Sequence, residues 1–150
     1  MTTQHERTST LYDRDYYLWL ETTIQLLREQ KLAQIDRENL IEELEDMGKS
    51  EKHSLKSNLR VLLMHLLKWQ YQASRRSNSW DYTIAEHRLR IVDAFSDSPS
   101  LKHYFDRVFQ ECYANARNLA SKETGLPLDT FPLECPYLQN DVLNPDYLPD

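Results

Sequence analysis

Val61-Leu62-Leu63-Met64-His65-Leu66-Leu67-Lys68-Trp69 is apolar almost all the way round a helical wheel. A helix with that pattern is surrounded by other helices rather than laid on a surface. It is far shorter than the roughly 20 apolar residues needed to span a bilayer, so it reads as the central strut of a helical core. The chain of 150 residues holds only two glycines, and strict apolar/polar alternation appears nowhere in it. Turn-rich β-structure is thereby excluded. The fold class is all-α: a helical bundle built on one long central helix.

Upstream of the strut, Leu40, Leu44 and Met47, then Leu55, Leu59, Leu62, Leu66 and Trp69, keep close to one phase of a 3.6-residue repeat. Asp36 is a fitting N-cap, with Ile35 placed to pack on Leu40 as a hydrophobic staple. One helix over 36–72 follows, with Gly48 marking where a kink would fall. The competing reading breaks it in two, Gly48 closing the first helix and Ser50 capping the second. A preceding helix is expected from an Asp13 cap to about Glu29, with Tyr16, Leu20, Ile24 and Leu27 inward and Trp19 on the shoulder.

Downstream, the polar stretch Ala73–Ser79 offers caps for a helix whose apolar face is Trp80, Ile84, Ile91 and Phe95, helped by Leu89 and Val92. Asp97-Ser98-Pro99-Ser100 is a break, with Ser98 as cap and Pro99 in the first helical position. Leu101, Phe105, Val108, Cys112, Ala116 and Leu119 carry the last long helix to about Thr124, and Gly125 supplies a left-handed stop. Residues 126–150 hold five of the six prolines together with Leu128, Phe131, Leu133, Tyr137, Leu138, Leu143, Tyr147 and Leu148. So apolar a tail is expected to strap across the bundle, with one helical turn at Gln139–Leu143. The whole, 1–150, reads as a single helical domain behind a disordered lead over 1–11.

The formal net charge of −6 is unevenly spread. Acidic against basic residues run 11 to 6 over 1–50, 3 to 8 over 51–90 and 10 to 4 over 91–150. An acidic chain is poorly suited to non-specific binding of nucleic acid or anionic membranes. No signal peptide is visible in Met1–Thr10, and Cys112 and Cys135 show no CxxC spacing. A cytoplasmic protein without a membrane segment is the expectation.

Three groups of residues bear on chemistry. His65 points close to the core stripe, and Glu43, Glu45 or Glu86 are the carboxylates that would join it in a metal-holding bundle. There is no Glu-x-x-His or His-x-x-x-His pair to support that, and an imidazole satisfied within the core is the plainer alternative. Lys68, Trp69, Arg75, Arg76 and Trp80 interleave cations with aromatics, a mixture suited to a partner surface, to stacking on single-stranded nucleic acid, or to arginines stacking on their own tryptophans. Glu42, Glu43, Glu45 and Asp46 form an acidic cluster short of basic neighbours in its own helix. No nucleophile–base arrangement and no glycine-rich phosphate loop is present in the sequence.

Glu42-Glu43-Leu44-Glu45-Asp46-Met47-Gly48, His65-Leu66-Leu67-Lys68-Trp69, Ser79-Trp80, Ser98-Pro99-Ser100-Leu101, Glu123-Thr124-Gly125-Leu126 and Phe131-Pro132-Leu133-Glu134-Cys135-Pro136-Tyr137 occur in that order. Together they resemble the domain-of-unknown-function 29 family of small bacterial proteins, over roughly Leu11 to Pro149. The resemblance implies an all-helical single domain and brings no activity with it. The sequence thus favours a non-enzymatic interaction or adaptor protein, antitoxin-like in one form, acting on an unidentified protein partner. No cofactor is predicted, nucleic acid is disfavoured and a homo-oligomer stays open. The alternative is an enzyme or sensor holding a divalent transition metal through His65 with Glu43, Glu45 or Glu86.

Overall fold

A computed structural model describes residues 10–150, and every described regular element is helical. The elements are α1 (Leu11–Arg14), α2 (Tyr16–Arg28), α3 (Arg37–Tyr71), α4 (Asn78–Asp97), α5 (Leu101–Thr124) and α6 (Gln139–Leu143), with short 3-10 turns at Leu32–Gln34, Ala73–Arg75 and Leu128–Thr130. The long central helix is present: α3 spans 35 residues and is helical through Gly48. Contacts divide the chain into two compact units, Met1–Lys49 and Ser50–Asp150.

In the first unit the expected helix from Asp13 is two helices. Thr10 caps α1, accepting from the Asp13 amide, and Asp15 then caps α2, accepting from the Leu18 amide at 3.0 Å. Two capping side chains so close together restart the helix, because each satisfies an amide that a continuous helix would have bonded internally. Most of the expected disordered lead, 1–11, lies outside the described residues. The end of α2 is a Schellman closure without glycine: the Lys31 amide donates to the Leu26 carbonyl at 2.9 Å and the Gln30 amide to Leu27 at 3.1 Å, with Gln30 at φ 59°. Asp36 caps α3 as the sequence indicated, accepting from the Asn39 amide.

The inner face expected for α2 is not the buried one. Trp19 and Thr23 are buried, whereas Tyr16, Ile24 and Leu27 are each nearly half exposed. Trp19 stands edge-on to Tyr12, 4.8 Å between centroids, and stacks on Tyr16. The hydroxyls of both tyrosines donate to the Glu43 carboxylate, that of Tyr16 at 2.6 Å, and hold it below the usual carboxylate range. These contacts tie α1 and α2 to the start of α3.

In the second unit the strut is the most buried part of α3. Leu62, Leu63, Leu66, Leu67 and Lys68 are all buried, while Val61, Met64, His65 and Trp69 are partly exposed, so the side of the wheel that carries them is less covered than the composition predicts. Ile84 and Ile91 of α4, Leu101, Phe105, Val108, Phe109, Cys112, Tyr113, Ala116 and Ala120 of α5, and Phe131, Tyr137 and Val142 beyond it complete this core. Three expectations fail locally. Leu89 and Val92 are exposed while Arg88 is buried, Ala120 takes the inward place given to Leu119, and Ser98 ends α4 instead of capping α5 with its side chain. Gly125 closes α5 at φ 73°, as a residue without Cβ does readily.

The segment after Gly125 is bound by side chains of the helices. Arg88 Nε donates to the Val142 carbonyl at 2.8 Å, Arg117 Nε to Phe131 at 2.9 Å, and the Tyr113 hydroxyl to Pro132 at 2.5 Å. The Tyr137 hydroxyl donates to Gln70 Oε1 at 2.8 Å. Each bond satisfies a backbone carbonyl or a buried hydroxyl that irregular chain would otherwise leave unpaired.

Candidate functional site

Two places concentrate polar or exposed chemistry, one in each unit. The first is the polar island around the end of α3. Lys68 is 4 % exposed. Its ammonium meets Glu123 Oε1 at 2.5 Å and lies 4.5 Å from the centre of the Trp80 ring. Glu123 itself is half in water. Arg76 stacks on Trp69 at 5.0 Å and donates its Nε proton to the Trp69 carbonyl at 2.8 Å. Arg75 is exposed. Of the five residues proposed as a partner surface, then, Lys68, Trp69, Arg76 and Trp80 engage one another or α5, the arrangement in which a chain's own cations stack on its own tryptophans.

His65 lies beside this island. Its Nδ1 is 2.9 Å from the Val61 carbonyl, which can only accept, so Nδ1 carries the proton and Nε2 is the basic nitrogen. His87 repeats the arrangement on α4, with Nδ1 2.7 Å from the Thr83 carbonyl. Burial lowers the His65 pKa first of all; Lys68 and His87 push the same way, while the bond to Val61 and the Glu123 carboxylate oppose it. A histidine depressed below its ordinary 6.5 adds stability above that value and loses it as pH falls through the lowered one. Urea unfolding should therefore show stability falling on acidification from about pH 7.5 to 5, and His65→Leu should flatten that dependence. An unchanged slope in the variant would assign it to other groups.

Each of the four residues considered for a metal has its own surroundings. Glu43 is occupied by Tyr12 and Tyr16, Glu45 is exposed, and Glu86 pairs with Arg90 at 2.8 Å. Glu43 and Glu45 belong to the first unit, His65 and Glu86 to the second. Among the described residues no group of three or more His, Cys, Asp or Glu side chains is arranged to hold a metal ion.

The second place is apolar and lies in the first unit. Tyr17, Leu20, Ile24 and Leu27 recur along one side of α2, and Leu40, Ile41, Leu44 and Met47 along one side of α3. Tyr17 is 70 % exposed, Leu44 59 % and Met47 61 %. The two stripes meet at a groove of about 490 Å³ lined by Leu27, Leu32, Ala33, Ile35, Arg37 and Leu40. On α3 the same phase becomes covered from Leu55 onward, inside the core of the second unit. The periodicity was visible in sequence; that its first half is uncovered was not, since a stripe that meets a partner and one that meets the core have the same spacing.

Fold and site together define an all-helical protein that carries a well-packed helical core and, in its first unit, an uncovered apolar face. The chain belongs to the family described as domain of unknown function DUF29, whose model matches residues 11–148. No curated protein and no solved structure matches it. No helix among the described residues is long and apolar enough to cross a membrane.

Proposed function

We propose that this chain is a non-enzymatic interaction protein whose docking surface is the open face of α2 and the start of α3. The observation that carries this reading is the exposure of Tyr17, Leu44 and Met47 on two stripes that share a groove, and of Leu32 in that groove, each 59 % or more in solvent. Exposed apolar residues scattered singly need no explanation, whereas a contiguous stripe marks a surface that meets another molecule. An adaptor role, antitoxin-like or otherwise, requires only such a face. The polar island of the second unit supports the same reading, since Lys68 and Arg76 are engaged within the chain. The segment after Gly125 acts as a strap over α4 and α5, a reading supported by the bonds from Arg88, Tyr113 and Arg117. Free thiols at Cys112 and Cys135 fit a reducing, cytoplasmic setting.

The test is site-specific photocrosslinking in the cells that make the protein. A photoreactive residue in place of Leu44 or Tyr17 should yield adducts with a second polypeptide, a further copy of this chain included. The same residue in place of exposed Gln110 on α5 serves as control. Adducts no more abundant at Leu44 and Tyr17 than at Gln110 would refute the assignment of this face.

A further inference from the structure

From the α3 stripe we infer that the occupant of the open face is a second copy of this chain, paired antiparallel about Leu44. The inference rests on reading that face as a docking surface. Three observations carry it beyond that reading.

The first is self-complementarity. About a two-fold axis at Leu44, each residue of α3 meets the one equally far on the other side. Leu44 meets Leu44 of the copy, Ile41 meets Met47, Leu40 meets Gly48, and Arg37 meets Glu51. On a wheel of 100° per residue, Arg37 and Glu51 each lie about 20° from the direction of Leu44, on opposite sides. Both are exposed, and neither forms an ion pair among the described residues. The same register therefore brings apolar against apolar and opposite charges together, twice per dimer. Glu45 is set about 100° from that direction and stays on the solvent flank.

The second is Gly48. Glycine weakens a helix interior, and here nothing among the described residues requires it. Its φ is not in the left-handed region, and a Cβ built on it would meet no atom within 4 Å. In the antiparallel register it faces Leu40 of the copy, where the missing side chain makes room for the larger one. The demand for a small residue comes from outside the monomer.

The third is area. Tyr17, Ile24, Leu27, Leu32, Ile41, Leu44 and Met47 offer on the order of 500 Å² of apolar surface, at about 70 Å² apiece. With the polar rim typical of homodimers, that extends to roughly 800 Å² per partner, the size of a standard stable interface.

Sedimentation equilibrium of the full chain, from about 5 to 200 µM, reads the outcome directly. The expected mass is twice the 17.9 kDa of one chain. Leu44→Glu should return it to the chain mass with its helical circular dichroism retained. Gly48→Leu should weaken dimerisation by tenfold or more without lowering helix content, since leucine is the better helix former. Arg37→Glu and Glu51→Arg should each weaken it roughly three- to tenfold, and the double exchange should restore it. Recovery in the double exchange is specific to a second copy in this register, because an unrelated partner would not carry the reciprocal charges. A wild-type chain that stays at single mass up to the highest concentration overturns the inference, as does a dimer that Leu44→Glu and the charge exchanges leave unaffected. Adducts from Leu44 in cells combined with a monomeric purified chain would keep the docking face and refute the second copy as its occupant.

Discussion

A chain ending at Gly125 is expected to lose roughly 3–6 kcal/mol of stability, and to melt far below the full-length protein. The magnitude comes from three anchors. Phe131 is 1 % exposed, Tyr137 5 % and Val142 0 %, so each surrenders nearly all its contact with water on folding. Their removal uncovers apolar surface on Tyr71, against whose ring Phe131 sits edge-on at 5.6 Å, and on the core beneath. It also strips Arg88 and Tyr113 of the carbonyls they bond. Burial already pushes the Tyr113 pKa up to about 12, and without Pro132 its hydroxyl must find water instead. Phe131→Ala, which keeps the chain intact, should cost about 3–5 kcal/mol through lost burial and the cavity left behind. Urea denaturation of the three proteins at equal concentration measures both effects. A truncated chain that unfolds at the same midpoint as the full one would show that these residues add nothing to the core.

How far the sequence disclosed this architecture depends on which physical signal each element leaves. The strut around His65, the long helix α3, the left-handed stop at Gly125 and the short helix at Gln139–Leu143 were all legible, because period, caps and special backbone geometry are local properties. The restart between α1 and α2 was not, since Thr10, Asp13 and Asp15 are all residue types that cap helices and only the structure shows that Thr10 and Asp15 do so while Asp13 lies inside α1. Gln30 closes α2 with a positive φ that a non-glycine residue does not advertise. Arg88 was discoverable: it follows Ile84 by four and precedes Ile91 by three, the spacing of one helix face. Hydropathy favoured Leu89 and Val92 over it. What makes an inward arginine tolerable, the Val142 carbonyl, lies 54 residues away.

The candidate site shows the same division. Lys68 was visible as the one cation in an apolar run, yet its carboxylate partner is 55 residues downstream and no local spacing points to Glu123. Interleaved arginines and tryptophans read equally well as a surface for a partner or as groups that satisfy one another. The stripe on α2 and α3 was legible as apolar and periodic; which half of it the chain itself covers is a tertiary fact.

The ion pair at the end of α3 should be asymmetric when taken apart. Glu123 is half in water, so losing its partner leaves a carboxylate that solvent can still hydrate. Lys68 is 4 % exposed and has among the described residues, besides Glu123, only the face of Trp80 to offset its buried charge. Glu123→Ala is therefore expected to cost about 2–4 kcal/mol, because it strands an ammonium in a low-dielectric site. Lys68→Met keeps the length and volume of the side chain and removes the charge that burial penalises, so it should stay within about 1 kcal/mol of the wild type. In the double variant the penalty of the stranded charge disappears, and its stability should match that of Lys68→Met rather than the sum of the two. Chemical denaturation of the four proteins completes the cycle. If Lys68→Met costs as much as Glu123→Ala, the attraction between the charges holds α3 to α5, and the asymmetry argued from their unequal burial is wrong.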